Sequence, residues 1–140
     1  MSFFLFKGDA HVEWYPKTAS TAFSVNALVY STSGQLLPAT TTSGDHIGVV
    51  LKPVVSTDSD YASTTFLPVL VPHSDTEFRA DVTGTLTAAM VNTFRDLSTS
   101  LVVDAAAQAK NVVLITQFVS SSVGIVKVNA MAYNLRVATT

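Results

Sequence analysis

The sequence has no cysteine and few glycines, and these two shortages exclude several kinds of chemistry. Among its 140 residues the absence of cysteine rules out disulfides, cysteine–zinc sites and thiol nucleophiles together. The six glycines are scattered along the chain, and no glycine-rich phosphate-binding motif is present. No Gly-x-Ser-x-Gly nucleophile motif occurs either. We therefore predict that the protein is not an enzyme and that it has no catalytic residues.

Charge is scarce as well, which limits the partners to be expected. Charged residues make up 13% of the chain and the net charge is −2, against about 25% charged residues in an average globular protein. No basic field exists to attract nucleic acid. No apolar run approaches the ~20 residues of a membrane-spanning helix, and Phe3–Phe6 is too short for the core of a cleaved leader. We expect a soluble protein with neither nucleic acid nor membrane as a partner.

Metal and cofactor sites are not indicated. The three histidines are far apart in the sequence and lack metal-ligand spacing; they are His11, His46 and His73. Asp58 and Asp60 resemble a fragment of a calcium loop, but Tyr61 follows where further oxygen ligands would be needed. We expect neither a metal nor a cofactor.

Short runs with a period of two indicate the fold class. In residues 77–82, Phe78, Ala80 and Val82 point one way while Arg79 and Asp81 point the other. Some eight or nine such runs are separated by turn residues, and no long helical pattern lies between them. The pattern predicts an all-β fold: a small antiparallel β-sandwich or barrel, jelly-roll-like or related, with at most one short helix. Residues 85–97 and 104–110 remain open between a helix and other structure.

The first sixteen residues differ from the rest because they carry many aromatic side chains. These are Phe3, Phe4, Phe6, Trp14 and Tyr15. They fit either a first strand that fills its own core or an anchor in a partner surface, since aromatic side chains bury large areas. We predict an extended N-terminal arm over residues 1–16 that contacts a partner through these five residues. A single β domain is predicted over residues 17–140.

Several short motifs follow one another along the chain: HVEWYPK (residues 11–17), GVV (48–50), ADVTG (80–84), VVD (102–104) and TQF (116–118). Their order resembles that of the decoration, or cement, proteins that coat the heads of tailed bacteriophages. One position departs from the resemblance. Asn92 stands where a glycine is expected, but asparagine tolerates positive φ better than most residues.

The resemblance implies a virion structural protein that binds the outer surface of a phage capsid and stabilises contacts between major capsid subunits. Its partners would be the major capsid protein and further copies of itself, as a homo-dimer or a homo-trimer. It would be made in the host cytoplasm and sit on the capsid exterior. The alternative is a β-sandwich binding module, on a virion or a secreted assembly, that recognises host-surface glycans through rings such as Trp14 and Tyr15.

Overall fold

The regular secondary structure of the protein's described residues is almost entirely β-strand. A computed structural model describes residues 3–44 and 46–130. These residues form eleven strands: β1 (Phe4–Lys7), β2 (Ala10–Pro16), β3 (Leu28–Thr32), β4 (Gln35–Pro38), β5 (His46–Val50), β6 (Phe66–Pro72), β7 (Glu77–Thr83), β8 (Phe94–Thr99), β9 (Val102–Asp104), β10 (Val113–Ser120) and β11 (Val123–Val128). Within this part of the chain the helical content is one 3-10 turn, Ala88–Met90. The prediction of a small all-β sandwich or barrel is confirmed.

Six strands form the first sheet, here called sheet A, in the order β1-β7-β11-β10-β8-β9. A parallel pairing between β7 and β9 closes the last five into a barrel. The strand β1 pairs with the first half of β7, on the edge that β9 uses further along. Buried apolar residues from these five strands fill the interior of the barrel, among them Phe78, Leu97, Val103, Ile115 and Val126.

The second sheet, sheet B, has the order β2-β6-β5-β3-β4. An isolated parallel bridge between Lys17 and Leu36 connects the chain just after β2 to β4, and so joins its two outer strands. The inner face of sheet B holds a separate buried cluster that includes Phe23, Val29, Val50, Leu67 and Val69.

One long antiparallel ribbon connects the two sheets. Residues 4–16 run alongside residues 66–79, from Pro16 opposite Phe66 in sheet B to Phe4 opposite Arg79 in sheet A. Gly8 lies at the crossing with a φ of 92°, and a Cβ there would approach the Asp75 carbonyl oxygen to 2.2 Å. Only glycine fits such a backbone contact at positive φ.

The pairing in this ribbon corrects the prediction of an extended N-terminal arm over residues 1–16. In its described part the segment forms β1 and β2, which pair with β7 and β6 instead of extending from the domain. Pairing satisfies backbone groups that an unpaired arm would leave to water.

The two segments that the sequence left undecided between a helix and other structure form strands and turns. Residues 85–97 contain the 3-10 turn and the start of β8, and Asn92 adopts a φ of 68°, as its tolerance of positive φ allows. Residues 105–110 are not helical. The Asp96 carboxylate holds that loop because it accepts hydrogen bonds from the backbone amides of Ala109, Lys110 and Asn111 at 2.7–2.9 Å. Alternation of Met131, Tyr133, Leu135 and Val137 also predicts a last strand over residues 129–137, and its part from residue 131 onward lies outside the described residues.

Candidate interaction surface

The five aromatic residues predicted to contact a partner are not placed alike. Phe3 is only 1% exposed, and its ring meets the Phe78 ring edge-on with the centroids 6.5 Å apart. Its backbone amide donates to the Asn26 carbonyl at 3.0 Å. Phe3 therefore belongs to the core, which corrects its predicted place on the contact surface.

The other four aromatic residues lie at the surface to different degrees. Phe4 and Phe6 on β1 are about half exposed, and Trp14 on β2 is 59% exposed. Tyr15 is partly buried against the core of sheet B. Burial raises the pKa of the Tyr15 hydroxyl, and the nearby Glu13 carboxylate adds to that increase. The segment therefore fills part of the core with Phe3 and Tyr15 and leaves Phe4, Phe6 and Trp14 exposed.

The exposed rings of β2 belong to a larger apolar face. Residues directly opposite each other on paired strands point to the same side of a sheet. Trp14 lies opposite Pro68, Val12 opposite Leu70, and Pro16 opposite Phe66. We call these six residues the outer apolar face; Trp14 and Phe66 are its most exposed members, each at 59%.

The outer apolar face is an extension of the core at the junction of the sheets. Leu28, Val49 and Leu70 lie in one row across β3, β5 and β6, and the row ends on β2 at Val12. Leu28 and Val49 are buried in the sheet A cluster, Leu70 packs against it, and Val12 is exposed. Apolar side chains therefore continue from the interior onto the surface without a polar border.

Sequence reasoning did not assign Phe66 and Pro68 to a contact surface. The strand β6 has apolar residues on both of its faces. Leu67, Val69 and Val71 fill the sheet B core, and the residues that alternate with them face the other side of the sheet. Such a run indicates burial on both faces and gives no sign that one end is open. The pairing with the aromatic strand β2 is the observation that identifies the face.

The edge of β2 that points away from β6 has backbone groups that no strand of the described residues pairs with. The Lys17 amide donates toward β6, to the Thr65 carbonyl at 3.0 Å, whereas the Thr18 amide donates to the opposite side, to the Leu36 carbonyl at 3.1 Å. Because backbone groups alternate along a strand, the amides and carbonyls of even-numbered residues of β2 point away from β6. Among the described strands, none pairs with this edge between residues 10 and 14.

Two histidine clusters are formed by the fold. His11 Nδ1 lies 2.7 Å from His73 Nε2, and His11 Nε2 lies 3.1 Å from a Glu13 carboxylate oxygen. The two His11 nitrogens point to different partners, so they do not converge on one point. Within residues 3–44 and 46–130, no group of three or more acidic or histidine side chains is placed to hold a metal ion.

The second cluster has the residue types of a nucleophile and a base but lacks access. Ser43 Oγ lies 3.0 Å from His46 Nε2, and both residues are buried. The same hydroxyl accepts a hydrogen bond from the Thr40 amide and lies 3.1 Å from the Thr40 carbonyl. It holds a turn together and offers no accessible nucleophile.

Comparisons with known proteins add no relative. No protein-family model matches this chain, and no curated protein was found to match its sequence.

None of the helical structure in the described residues is long and apolar enough to cross a membrane. The outer apolar face and the open edge of β2 are the features on which a functional interpretation depends.

Proposed function

We propose that this protein is a virion structural protein that binds the outside of a phage capsid and stabilises contacts between major capsid subunits. The observation that carries the proposal is the outer apolar face, on which Trp14 and Phe66 are each 59% exposed. Exposed apolar patches of this kind mark sites of protein–protein contact. Aromatic rings supply much of the binding energy at such sites.

The chemistry of the face favours a protein partner with an apolar surface. All six residues of the face are uncharged, and two are prolines whose rigid rings lose little entropy on binding. A binder that recognises only the assembled arrangement of subunits stabilises that arrangement by mass action. The gain is about 2.7 kcal/mol when the free binder is a hundredfold above its Kd.

Binding to shells with a matched pair of variants tests the proposal. Purified protein should bind emptied, expanded capsids of the cognate phage and raise the temperature at which they break apart. Trp14→Ser should weaken binding about thirtyfold, as expected when a central aromatic anchor worth about 2 kcal/mol is removed. Phe118→Ser is the control because Phe118 is an exposed ring on β10 of the other sheet.

The two variants also define what would contradict the proposal. Equal weakening by Phe118→Ser would place the contact elsewhere. Absence of binding by the unmodified protein to cognate shells would exclude capsid decoration through any surface.

Glycan recognition is the second candidate, and one observation favours it. Trp14 and Phe66 are diagonal neighbours across Pro68 and Pro16 on the outer apolar face, at the ~7–8 Å spacing of such positions. Two exposed rings on a sheet face can stack on successive sugar rings. Binding on a glycan array that is lost in Trp14→Ser, together with no affinity for shells, would support this function instead.

A further inference from the structure

We propose that the protein forms a two-fold symmetric dimer in which β2 pairs antiparallel with β2 of a second copy, with Val12 opposite the second copy's Val12. The inference goes beyond capsid binding, and it can be tested without a capsid. It depends on the open edge of β2 and on the charges along that strand.

The open edge is limited at both ends. Beyond Trp14 the next outward position is Pro16, which has no amide to donate. At the other end Gly8 turns the chain toward sheet A, and the Asp9 amide lies 3.4 Å from an Asp75 carboxylate oxygen. Ala10, Val12 and Trp14 lie between these limits with outward-pointing backbone groups, and Val12 is at their centre.

Symmetric pairing about Val12 gives favourable cross-strand neighbours. Ala10 then faces Trp14 of the second copy, so the indole lies beside a small side chain. His11 faces the second copy's Glu13, which sets an imidazole opposite a carboxylate. Each of the three outward residues would exchange two backbone hydrogen bonds with the residue opposite, as in a regular antiparallel ladder.

The neighbouring registers are each less favourable. Pairing about Glu13 sets two carboxylates directly opposite each other, which is destabilising. Pairing about His11 sets Glu13 opposite Asp9, again two acids. Pairing about Trp14 sets Val12 opposite Pro16, so that one hydrogen bond in that pair lacks a donor.

Dimerisation would also unite the apolar surfaces. The outer apolar faces of the two copies would continue across the new strand pair as one face of doubled width. An exposed strand edge tends to pair unless it is protected by lysines or other charged side chains, prolines, bulges or covering segments. The strand β2 has no lysine and pairs with β6 without a register shift. Its proline, Pro16, lies at one end, and Glu13 is placed opposite a histidine in the proposed register, so residues 10–14 remain able to pair.

A cysteine scan reads the register directly because the chain has no cysteine of its own. A single cysteine meets its own copy only at the centre of symmetry, where the Cα atoms of antiparallel pairs are about 4.5–5.5 Å apart. Disulfides form over Cα separations of about 4.4–6.8 Å. We expect Val12→Cys to form a disulfide dimer much faster than His11→Cys, Glu13→Cys or Trp14→Cys.

Val25→Cys measures the rate of random collision, because Val25 is an equally exposed valine away from β2. Fastest cross-linking at another scanned position would overturn the register. Cross-linking of all four at the rate of Val25→Cys would overturn the dimer.

Sedimentation equilibrium tests the dimer in the unmodified chain. Val12→Pro removes an outward amide and leaves the bonds to β6 intact, whereas Val12→Thr keeps both the amide and the β-branched shape. The proline variant should raise the dimer Kd about tenfold or more, while threonine changes it several-fold less. Thermal unfolding should show that both variants remain folded.

The other possible occupants of the edge give different outcomes. A trimer would overturn the proposal. A monomer in which the Val12 amide exchanges slowly with solvent would also overturn it, since another segment of the same chain would then cover β2. Either result leaves capsid binding through the outer apolar face as a separate question.

Discussion

The two sheets close in different ways. In sheet A, β7 and β9 pair over three successive residue pairs, from Asp81 opposite Val102 to Thr83 opposite Asp104. In sheet B the same task falls to one bridge between Lys17 and Leu36. A ladder of backbone pairs closes the first sheet, whereas a single bridge closes the second, and one buried side chain at that bridge holds a neighbouring loop.

That side chain is Lys17, which is fully buried. Its Nζ donates to the carbonyls of Tyr61 at 3.0 Å and Ser63 at 2.6 Å, and so fastens the loop before β6 to the closing bridge. In sheet A the buried Asp96 carboxylate fastens a loop with the opposite polarity, by accepting three backbone amides. In both sheets a buried charge is tolerated because backbone dipoles surround it.

Gly8→Ala should have the largest effect because it disturbs both sheets at their crossing. The added Cβ would lie 2.2 Å from the Asp75 carbonyl oxygen on a backbone with φ of 92°. We expect a loss of about 3 kcal/mol in the free energy of unfolding, measured by urea titration. Gly34→Ala is the control, since Gly34 has similar φ but open space around it. Equal losses would show that φ alone, and not the crossing, determines the effect.

Asp96→Ala should be nearly as harmful to sheet A. Three backbone amides would lose their charged acceptor at once, which we expect to lower the free energy of unfolding by about 2–3 kcal/mol. Asp104→Ala is the matched control because, within the described residues, the Asp104 carboxylate accepts one backbone amide, that of Ala106 at 2.9 Å. If the two variants lost the same stability, the buried carboxylate would not be what holds the 105–111 loop.

Lys17→Met should weaken sheet B by a smaller amount, about 1–2 kcal/mol. Methionine keeps the apolar stem in place, and the loss comes from two carbonyls deprived of their donor. We expect limited proteolysis to cut residues 56–65 sooner than in Lys52→Met, since Lys52 is exposed. Cleavage elsewhere first would show that Lys17 does not hold this loop.

The smallest effect is expected from pH acting on the same loop. The Thr65 hydroxyl donates to the Asp60 carboxylate at 2.8 Å and is the main cause of an Asp60 pKa below its ordinary value of 3.8. A lowered pKa stabilises the fold above the unfolded-state value, and this contribution disappears as pH falls through the folded-state value. Asp60→Asn should therefore lower Tm slightly at neutral pH, and the difference should vanish in acid. A Tm difference between Asp60→Asn and the unmodified protein that grows in acid would contradict a lowered pKa for Asp60.

The sequence predicted particular elements well where one face is apolar and the other polar. The strand over residues 77–82 was predicted from alternation, and in β7 Phe78, Ala80 and Val82 are indeed buried while Arg79 is exposed. Prediction was weaker where local preference competes with tertiary contacts. The helix formers after Asp104 gave no helix, because Asp96, distant in sequence, binds the amides of that loop.

The candidate surface was predicted only in part, for a related reason. Trp14, Phe4 and Phe6 were chosen from the aromatic content of the N-terminus, and they are exposed; Phe3 was chosen in the same way and is buried. Composition gives the residue types of a segment but not which of them face outward. Phe66 became part of the surface only through its pairing with β2.

By itself the sequence determined the all-β character of this protein, because alternation with a period of two and frequent turns are local properties of the chain. It also excluded cysteine chemistry and known nucleotide-binding motifs, since those need residues that are absent. Only the tertiary structure decided that residues 4–16 lie along β6 and β7, that Lys17 is buried, and that the outer apolar face is open. Those outcomes depend on contacts between residues some 40 to 75 positions apart along the chain, whose free energies no local pattern contains.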